Sequence, residues 1–517
     1  MGFMNDVKET LNDGMNNISI TENGAVGFSS TGKKLLDFFF AVSSMRNSTE
    51  TEINKKYELA YADDALLALK LLAYVRDVRG GLGEKRTPRT ILRYLADTQP
   101  EIAKAIIPLI PEYGRWDDLY VFFGTKVQND AVAVITQQFS KDLLNRKNNK
   151  PISLLAKWLP SENASSRETK NRARIIREYL SLSSRNYRKT LSDLRGYLKV
   201  VEKKMSSGEW AEINYEAVPS KANVLYRNAF LKHDEERRKS YLESLVKGEA
   251  KINSSTNFPH DIVHAYSKGY RGWGVPSISV DMALEALWDA LPDVVGENDN
   301  TLVVRDGSGS MTVCIDPNAK TTALDVSTAL SIYFAERANG EFKNKFITFS
   351  NRPRYIDLSK CKSLADKLRK CYAEDDCSNT DIEATFDLIL ETAVTHNLKQ
   401  EDLPKNILIV SDMEFDGATS FGWNADKRRF ETLFERIGKK FKQHGYMMPR
   451  LIFWNVNSRT ETIPVKENTL GVALVSGFSV NICKMVLSGQ LDPFKCLVEQ
   501  LETERYKPVE VAVKGLI

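Results

Sequence analysis

Short apolar runs in the second half of the chain alternate with longer amphipathic stretches. The apolar runs are rich in Val, Ile and Phe and read TLVVRD, KFITFS, NILIVSD, RLIFWNVN and, later, GVALVSG. The stretches between them, such as TALDVSTALSIYFAERA, have helical spacing. Strands that alternate with helices predict a parallel sheet with helices on both faces. We therefore predict an α/β doubly wound C-terminal domain over residues 298–517.

The first half of the chain has a different pattern, in which apolar residues recur at helical spacing. The stretch DDALLALKLLAYVRDV is one example, and TPRTILRYLADT places Pro88 where a first helical turn tolerates proline. Short helices joined by Gly, Pro and Asn turns favour stacked helical hairpins. No fixed-period repeat is present, so we predict an irregular, HEAT-like α-helical repeat domain over residues 1–290.

Composition places the chain among soluble globular proteins. Of its 517 residues, 42% are hydrophobic and 27% are charged. No apolar run reaches the roughly 18 residues that a membrane span needs, and the polar N-terminus predicts no signal peptide. All six cysteines lie after residue 313 without repeated spacing, which favours reduced thiols. We expect a cytoplasmic protein with no membrane partner.

Positive charge is concentrated in one part of the chain. The whole sequence has a net charge of +4, whereas residues 151–200 contain eleven Lys and Arg against four Asp and Glu, a local excess of seven. A basic block inside a nearly neutral chain predicts a surface for a polyanion. The alternative interpretation is a solvated helical surface without a ligand.

A loop rich in oxygen donors follows the predicted strand TLVVR. Asp306, Ser308 and Ser310 alternate with glycines, which allow a turn tight enough to bring the three side chains together. Ligands of open α/β sheets bind beyond the carboxyl ends of the strands. Thr380, before a predicted helix, and Asp412, after the strand NILIVS, can supply further oxygens. Oxygen donors without Cys or His predict Mg²⁺ or Mn²⁺. The alternative is a Gly/Ser turn with an unrelated Thr and Asp.

This order of Asp-x-Ser-x-Ser, a separate threonine and a separate aspartate resembles the metal-ion-dependent adhesion site of von Willebrand factor A domains. The resemblance covers the whole predicted α/β domain and implies a Rossmann-like fold. It implies that Ser308, Ser310 and Thr380 give oxygens to the metal, and that Asp306 and Asp412 act directly or through water. In that family an acidic group of a partner fills the vacant metal position, so a protein partner is also implied.

The helical half resembles an uncharacterised family that joins a helical domain to an A domain. The segments that carry this resemblance are YVRDVRGGLGEKR, EYGRWDDL, SLLAKWLPS, VPSKAN and FPHDIV. The architecture is similar to that of TROVE proteins, which include the Ro autoantigen. The resemblance implies a ring of helical repeats closed by an A domain, and it implies binding of noncoding RNA in a ribonucleoprotein.

Cations within the basic block are interleaved with aromatic residues. This pattern suits single-stranded nucleic acid, because phosphates bind cations and splayed bases stack on aromatic rings. The predicted RNA contacts in the block are Arg172, Arg174, Arg177, Arg185, Tyr187, Arg188 and Lys189. Arg115 and Trp116, in EYGRWDDL, are second-choice contacts. For this pair the alternative is a buried, hydrogen-bonded tryptophan.

Patterns that would indicate nucleotide or zinc sites are incomplete. GFSSTGKK has the spacing of a phosphate-binding loop, but Lys34 stands where a Ser or Thr is needed for Mg²⁺. HDIVH has two histidines at helical spacing, but Asp261 stands where a zinc protease has Glu. Paired C-x-x-C spacing is absent from the cysteines that lie closest together in the sequence, Cys361, Cys371 and Cys377.

These patterns together predict an RNA-binding protein with a magnesium site on its A domain. We expect no enzymatic activity and no small-molecule substrate, since no Ser-His-Asp or Cys-His arrangement stands out. DGSGS resembles the loop of aspartyl-phosphate phosphatases, but Ser308 occupies the place of their second aspartate. The alternative function is a protein-interaction scaffold, in which the metal site captures an acidic residue of a partner and the basic face is incidental.

Overall fold

The structure, a computed structural model, describes residues 18–20, 26–198, 200–268, 276–295, 300–315, 320–374, 381–413, 428–457, 472–477 and 492–517. The chain divides into two compact units. The sheet unit comprises Met1–Thr49, Ala62–Asp64 and Ser254–Gln500, and the helical unit comprises Glu50–Tyr61, Ala65–Asn253 and Leu501–Ile517. These units differ from the predicted division into residues 1–290 and 298–517, because both chain termini belong to the unit that is dominated by the other half of the sequence.

Eight strands are present in the described residues. They are β1 (Ile18–Ile20), β2 (Val26–Phe28), β3 (Thr301–Arg305), β4 (Lys345–Thr348), β5 (Tyr355–Asp357), β6 (Asn406–Ser411), β7 (Arg450–Asn455) and β8 (Val472–Ser476).

Helices are the commonest elements of the described chain. They are α1 (Lys34–Ala41), α2 (Glu50–Asp63), α3 (Ala65–Arg76), α4 (Arg86–Thr98), α5 (Pro100–Ile106), α6 (Ile110–Tyr113), α7 (Gln128–Lys147), α8 (Leu155–Trp158), α9 (Arg167–Tyr179), α10 (Ser184–Tyr197), α11 (Val201–Ser207), α12 (Ser220–His233), α13 (Glu235–Val246), α14 (Pro259–Ser267), α15 (Met282–Asp289), α16 (Ala323–Arg337), α17 (Leu364–Ala373), α18 (Ile382–Thr395), α19 (Arg428–Gln443), α20 (Pro493–Leu501) and α21 (Lys507–Val513). Short 3₁₀ segments include Trp116–Phe122 and Gly309–Thr312.

The sheet unit is built on a six-stranded sheet of order β5-β4-β3-β6-β7-β8. All neighbouring pairs are parallel except β4 and β5, which are antiparallel. Each of the five predicted strands is confirmed, and the predicted α/β sheet is present. Every residue of β3, β6 and β7 is buried, as expected for Val- and Ile-rich strands covered on both faces.

The core of this unit includes a residue from the first part of the chain. Phe40 of α1 packs with Leu302, Ile409 and Phe453 of the central strands. Asn455 Nδ2 donates a hydrogen bond to the backbone oxygen of Phe40 at 3.1 Å. Helix α1 is therefore an integral part of the sheet unit, although sequence pattern alone assigned it to the helical half.

The helical unit contains shorter helices than the apolar periodicity suggests. The continuous pattern PEIAKAIIPLIPEYG is divided into α5, a 3₁₀ turn over residues 107–109 and α6. Pro108 and Pro111 cause this division because a prolyl residue lacks the N–H that continues an α-helix. None of the helices in the described part of the chain is both long and apolar enough to cross a membrane.

Candidate metal centre and nucleic-acid interface

The register of the central strands brings two predicted metal residues to one edge of the sheet. Strands β3 and β6 are parallel neighbours, with Arg305 opposite Val410. The backbone N–H of Asp306 donates to the oxygen of Val410 at 3.3 Å. Asp306 and Asp412 therefore both follow the carboxyl ends of adjacent strands, and each residue is 2% exposed. This is the edge at which α/β sheets bind ligands.

The Asp306 carboxylate is held by neutral donors. Its Oδ1 accepts from the backbone N–H of Ser308 at 2.9 Å, and its Oδ2 accepts from the Ser411 hydroxyl at 2.6 Å. Burial raises the pKa of the Asp306 carboxyl, while the hydrogen bonds from Ser411 and Ser308 favour the ionised form. A buried carboxylate is costly unless it is paired or bound to a metal, so a cation at this edge would stabilise it.

The two serines of the loop lie together beside this carboxylate. Ser308 Oγ and Ser310 Oγ are 2.9 Å apart, and both residues are partly exposed. Gly309 between them faces open space, so the turn is not crowded. Two buried carboxylates and two accessible hydroxyls form an all-oxygen donor set of the kind that Mg²⁺ prefers. Thr380, the fifth predicted residue, lies outside the described residues.

No group of three or more His, Cys, Asp and Glu side chains placed to hold a metal is present in the described residues. For HDIVH this agrees with the contacts of its histidines. His264 Nδ1 lies 2.8 Å from Asp325 Oδ2, and the His260 ring stacks on Phe258 with centroids 5.4 Å apart. Both rings thus have structural contacts within the sheet unit, whereas Cys377 lies outside the described residues.

Sequence reasoning missed residues that support the loop. Ser411 holds the Asp306 side chain, and the Ser327 hydroxyl on α16 donates to the Asp306 backbone oxygen at 3.1 Å. Ser411 directly precedes Asp412 in the motif VSD, so its strand-end position was the available signal. Met413 has a φ of 63° and is buried, a left-handed conformation that is uncommon for a residue with a side chain. Such backbone strain is concentrated at functional sites.

Helices α9 and α10 carry most of the predicted RNA contacts. Each begins at a serine N-cap whose hydroxyl accepts a backbone N–H, Ser166 for α9 and Ser183 for α10. On α10, Arg185, Arg188 and Lys189 are exposed. No ion pair to a carboxylate involves these three cations within the described residues. The surface formed by Arg185, Arg188 and Lys189 is called the α10 basic stripe below.

The predicted contacts on α9 are less available to a ligand. Arg172 forms an ion pair with Glu168 of the preceding turn. Arg174 Nε is 3.7 Å from Glu178. Arg177 Nε is 2.9 Å from a carboxylate oxygen of Glu162, and its side chain is 21% exposed. These carboxylates offset part of the positive charge on α9, which leaves α10 as the stronger cationic surface.

Tyr187 is buried, so the prediction that it stacks on bases is wrong. Its hydroxyl donates to the backbone oxygen of Pro160 at 2.9 Å, and its ring is 0% exposed. Burial raises the pKa of this phenol well above its usual range. Tyr187, Leu191 and Leu194 share one face of α10 and are all buried. The tyrosine therefore anchors the helix with its basic stripe exposed on another side.

Arg115, one of the two second-choice contacts, has partners within the chain. The Arg115 guanidinium lies 4.1 Å from the centroid of the Trp158 ring. Its Nε donates to Asp117 Oδ1 at 2.9 Å. Both partners stabilise the turn that begins the 3₁₀ segment Trp116–Phe122, and Trp116 is half-buried. These contacts favour a structural role for the arginine.

Comparison with known proteins finds similarity over nearly the whole chain. Residues 300–512 match the family model of DUF7788, a domain of unknown function. Residues 21–123 and 162–289 match DUF2828, also a domain of unknown function. An uncharacterised protein of Acanthamoeba polyphaga mimivirus is 29% identical over 540 residues, covering 96% of this chain and 89% of that protein. The chain is thus similar to two domains and a viral protein whose descriptions assign no activity.

Proposed function

We propose that the protein binds RNA through the α10 basic stripe. The observation that carries this proposal is that Arg185, Arg188 and Lys189 are exposed and have no carboxylate ion pair within the described residues. Unpaired cations on a protein surface attract polyanions, and neutralising phosphates releases counterions from the nucleic acid. The resemblance to TROVE proteins supports RNA, rather than another polyanion, as the ligand.

The same resemblance supports a finer description of the fold. We propose that the sheet unit is a von Willebrand factor A domain of Rossmann-like topology, and that the helical unit is an irregular, HEAT-like array. The parallel core β4-β3-β6-β7-β8 with one antiparallel edge strand supports the first assignment. The second is supported by short consecutive helices separated by Pro and Gly turns.

We further propose that the sheet edge holds Mg²⁺ in an adhesion-type site. Ser308 and Ser310 would supply hydroxyl oxygens, and Asp306 and Asp412 would act directly or through water. When bound, the ion would supply a Lewis-acidic position for an acidic group of a partner. The clustering of buried Asp306 and Asp412 at one edge is the specific observation that favours this second role. A protein scaffold without RNA is the alternative function that this site alone would support.

Nucleic acid that copurifies with the full-length protein provides a direct test of the RNA proposal. After trimming with nuclease, we expect protected RNA fragments whose photo-crosslinks map to α10. The test variant is Arg185→Glu/Arg188→Glu, which should yield much less protected RNA than the wild type while retaining the wild-type circular dichroism spectrum. Protected fragments of equal amount from both proteins would contradict the proposed surface, and the absence of RNA from the wild type would contradict the function.

A further inference from the structure

A pocket of about 650 Å³ lies at the C-terminal end of α10, in the helical unit. Its walls are formed by α7, α10 and α11, and it continues from the α10 basic stripe because Lys189 belongs to both. Three cations line the pocket, Arg146, Lys189 and Lys203, together with the hydroxyl-bearing residue Ser192. A volume of this size accommodates a phosphate with part of the nucleotide that carries it.

Two of the three cations have no counterion in the described part of the chain. The only acidic residue that lines the pocket there, Asp193, has its Oδ1 3.3 Å from Arg146 Nη2, which leaves Lys189 and Lys203 without a carboxylate. Nearby lysines outside this pocket, in contrast, lie close to carboxylates. Lys157 Nζ is 3.2 Å from Glu202, and Lys204 Nζ is 3.8 Å from Glu212. Positive charge is thus left uncompensated where the surface is concave.

Gly196 makes room for one of these ammonium groups. A Cβ atom at this position would lie 2.8 Å from Lys203 Nζ, so the ammonium packs against the helix where the side chain is missing. Glycine within a helix costs about 1 kcal/mol relative to alanine. The last turn of α10 therefore accepts an unfavourable residue at the point where it allows Lys203 to approach.

Arg146 is held in place at the opposite wall. Its guanidinium lies 4.6 Å from the centroid of the Tyr197 ring, so a cation–π contact adds to the ion pair with Asp193. Tyr197 in turn donates its hydroxyl to the backbone oxygen of Lys150 at 3.1 Å. This guanidinium and the two ammonium groups line the same pocket as the Ser192 hydroxyl, and such a set of donors can surround a phosphate.

We propose that this pocket binds a phosphate group, and that in the assembled protein the phosphate belongs to the backbone of RNA bound along the α10 basic stripe. The assignment of this phosphate to RNA rests on the proposed function, whereas the proposal that the pocket binds a phosphate does not. The pocket would fix the register of the strand at one end of the stripe, because backbone contacts position a nucleic acid without reading its bases.

Two probes test the pocket in the full-length protein. The first is inorganic pyrophosphate, measured by isothermal titration calorimetry. The second is labelled single-stranded RNA, measured by fluorescence anisotropy. We expect Lys203→Met and Lys189→Met each to weaken pyrophosphate binding about tenfold, which corresponds to about 1.4 kcal/mol. RNA affinity should fall several-fold, and the log–log salt slope should decrease by about 0.7 for each lost contact.

Gly196→Glu provides a variant that should fold at least as well as the wild type, because glutamate is a better helix former than glycine. It places a carboxylate against Lys203 and should weaken the binding of both pyrophosphate and RNA. Lys55→Met removes an exposed lysine on α2 and is the matched control, for which we expect no change with either probe.

The outcomes separate the pocket from the RNA function. If the pocket variants bind both pyrophosphate and RNA more weakly, while Lys55→Met binds both like the wild type, the full proposal is supported. If the variants lose pyrophosphate but retain wild-type RNA affinity, the pocket serves a free phosphorylated ligand and the RNA assignment is overturned. Unchanged binding of both probes overturns the pocket and leaves the α10 basic stripe intact. Pyrophosphate binding by a wild-type protein that binds no RNA overturns the proposed function and the assigned source.

Discussion

The Asp306 carboxylate is buried at the sheet edge and receives hydrogen bonds from an amide and a hydroxyl. Its raised pKa, caused by burial, indicates that the folded protein bears a cost for keeping this group ionised. A divalent cation at the edge would offset that cost. Because the residue is only 2% exposed, Asn, which nearly keeps the size and the polarity of the side chain, is a safer test substitution than Ala.

Mg²⁺ should therefore stabilise the wild-type protein and have little effect on Asp306→Asn. A ligand that binds only the folded state at about 100 times its Kd adds about 2.7 kcal/mol, which is readily detected as a rise in Tm. Thermal unfolding is measured with Mg²⁺ and with EDTA. Glu341→Gln, which removes an exposed carboxylate elsewhere in the sheet unit, controls for general charge effects and should respond like the wild type. Equal Mg²⁺-dependent shifts in wild type and Asp306→Asn would contradict the site.

The sequence places Asp306 and Asp412 at one edge of the sheet, but it does not identify all the residues that hold this edge in place. Asp306 and Asp412 could be found because each directly follows an apolar strand, and parallel strands place their carboxyl ends together. Ser327 could not be found, since its role depends on how α16 packs on the sheet. For Tyr187 the aromatic character suggests base stacking, but its spacing to Leu191 and Leu194 marks the buried face of α10.

At the scale of elements, apolar runs located the strands well, while helix ends depended on local breaks. The edge strand β5 was missed because three residues give too short a pattern, and Pro353 lies two residues before its first residue, Tyr355. The stretch RKTLSDLRGYLKVVEKK has apolar residues near helical spacing throughout, but it contributes to two helices, α10 and α11. This break creates the concave surface in which Lys203 approaches Gly196. The spacing of the apolar residues does not reveal the break, so the sequence does not predict this concave surface.

The C-terminal segment illustrates contacts that no local pattern reveals. Lys70 of α3 has a fully buried side chain, and its ammonium lies 2.9 Å from carboxylates of both Glu502 and Glu510. Asp77, also fully buried, pairs with Arg505 and accepts the hydroxyl of Tyr506 at 3.1 Å. These partners are separated by more than four hundred residues in sequence. The segment after residue 500 therefore supplies the oppositely charged partners of Lys70 and Asp77 in the helical unit.

Arg505→Met should destabilise the helical unit because it leaves the Asp77 carboxylate buried without its cation. Removing one member of a buried pair costs roughly 3 to 5 kcal/mol, and partial exposure of Arg505 reduces this to about 2 to 4 kcal/mol. Urea unfolding followed by circular dichroism measures the change. Lys507→Met, which breaks an exposed pair with Glu504 in the same segment, is the control and should have little effect. If both variants unfold at the wild-type urea concentration, Asp77 does not depend on Arg505.

At the scale of the whole molecule, the chain crosses between its two units more than once. The first 49 residues belong to the sheet unit and the last 17 to the helical unit, so neither half of the sequence is a self-contained unit. Hydrophobic periodicity identifies which face of an element is buried, but it does not identify the partner of that face. For this reason the sequence predicted the two kinds of architecture and could not predict which unit each terminus joins.

The central claim is that exposed cations of the α10 basic stripe neutralise RNA phosphates. The most direct measurement is a salt titration of labelled single-stranded RNA binding. Three cations in the stripe, or five with the pocket cations Arg146 and Lys203, predict a log–log slope of about −2.1 to −3.5. This corresponds to a loss of roughly 20- to 130-fold in affinity over a fourfold rise in salt. Arg185→Glu/Arg188→Glu should reduce the magnitude of this slope by about 1.4, since two contacts are lost.

The control for this measurement is Lys55→Glu/Lys247→Glu, which reverses two exposed lysines elsewhere in the helical unit. Either double reversal lowers the net charge by four, from +4 to 0, so a difference between the variants reports position and not total charge. The account predicts a flatter slope and weaker binding only for the α10 variant. Equal slopes and affinities for wild type and the α10 variant would contradict it and would favour a protein scaffold that acts through the metal site.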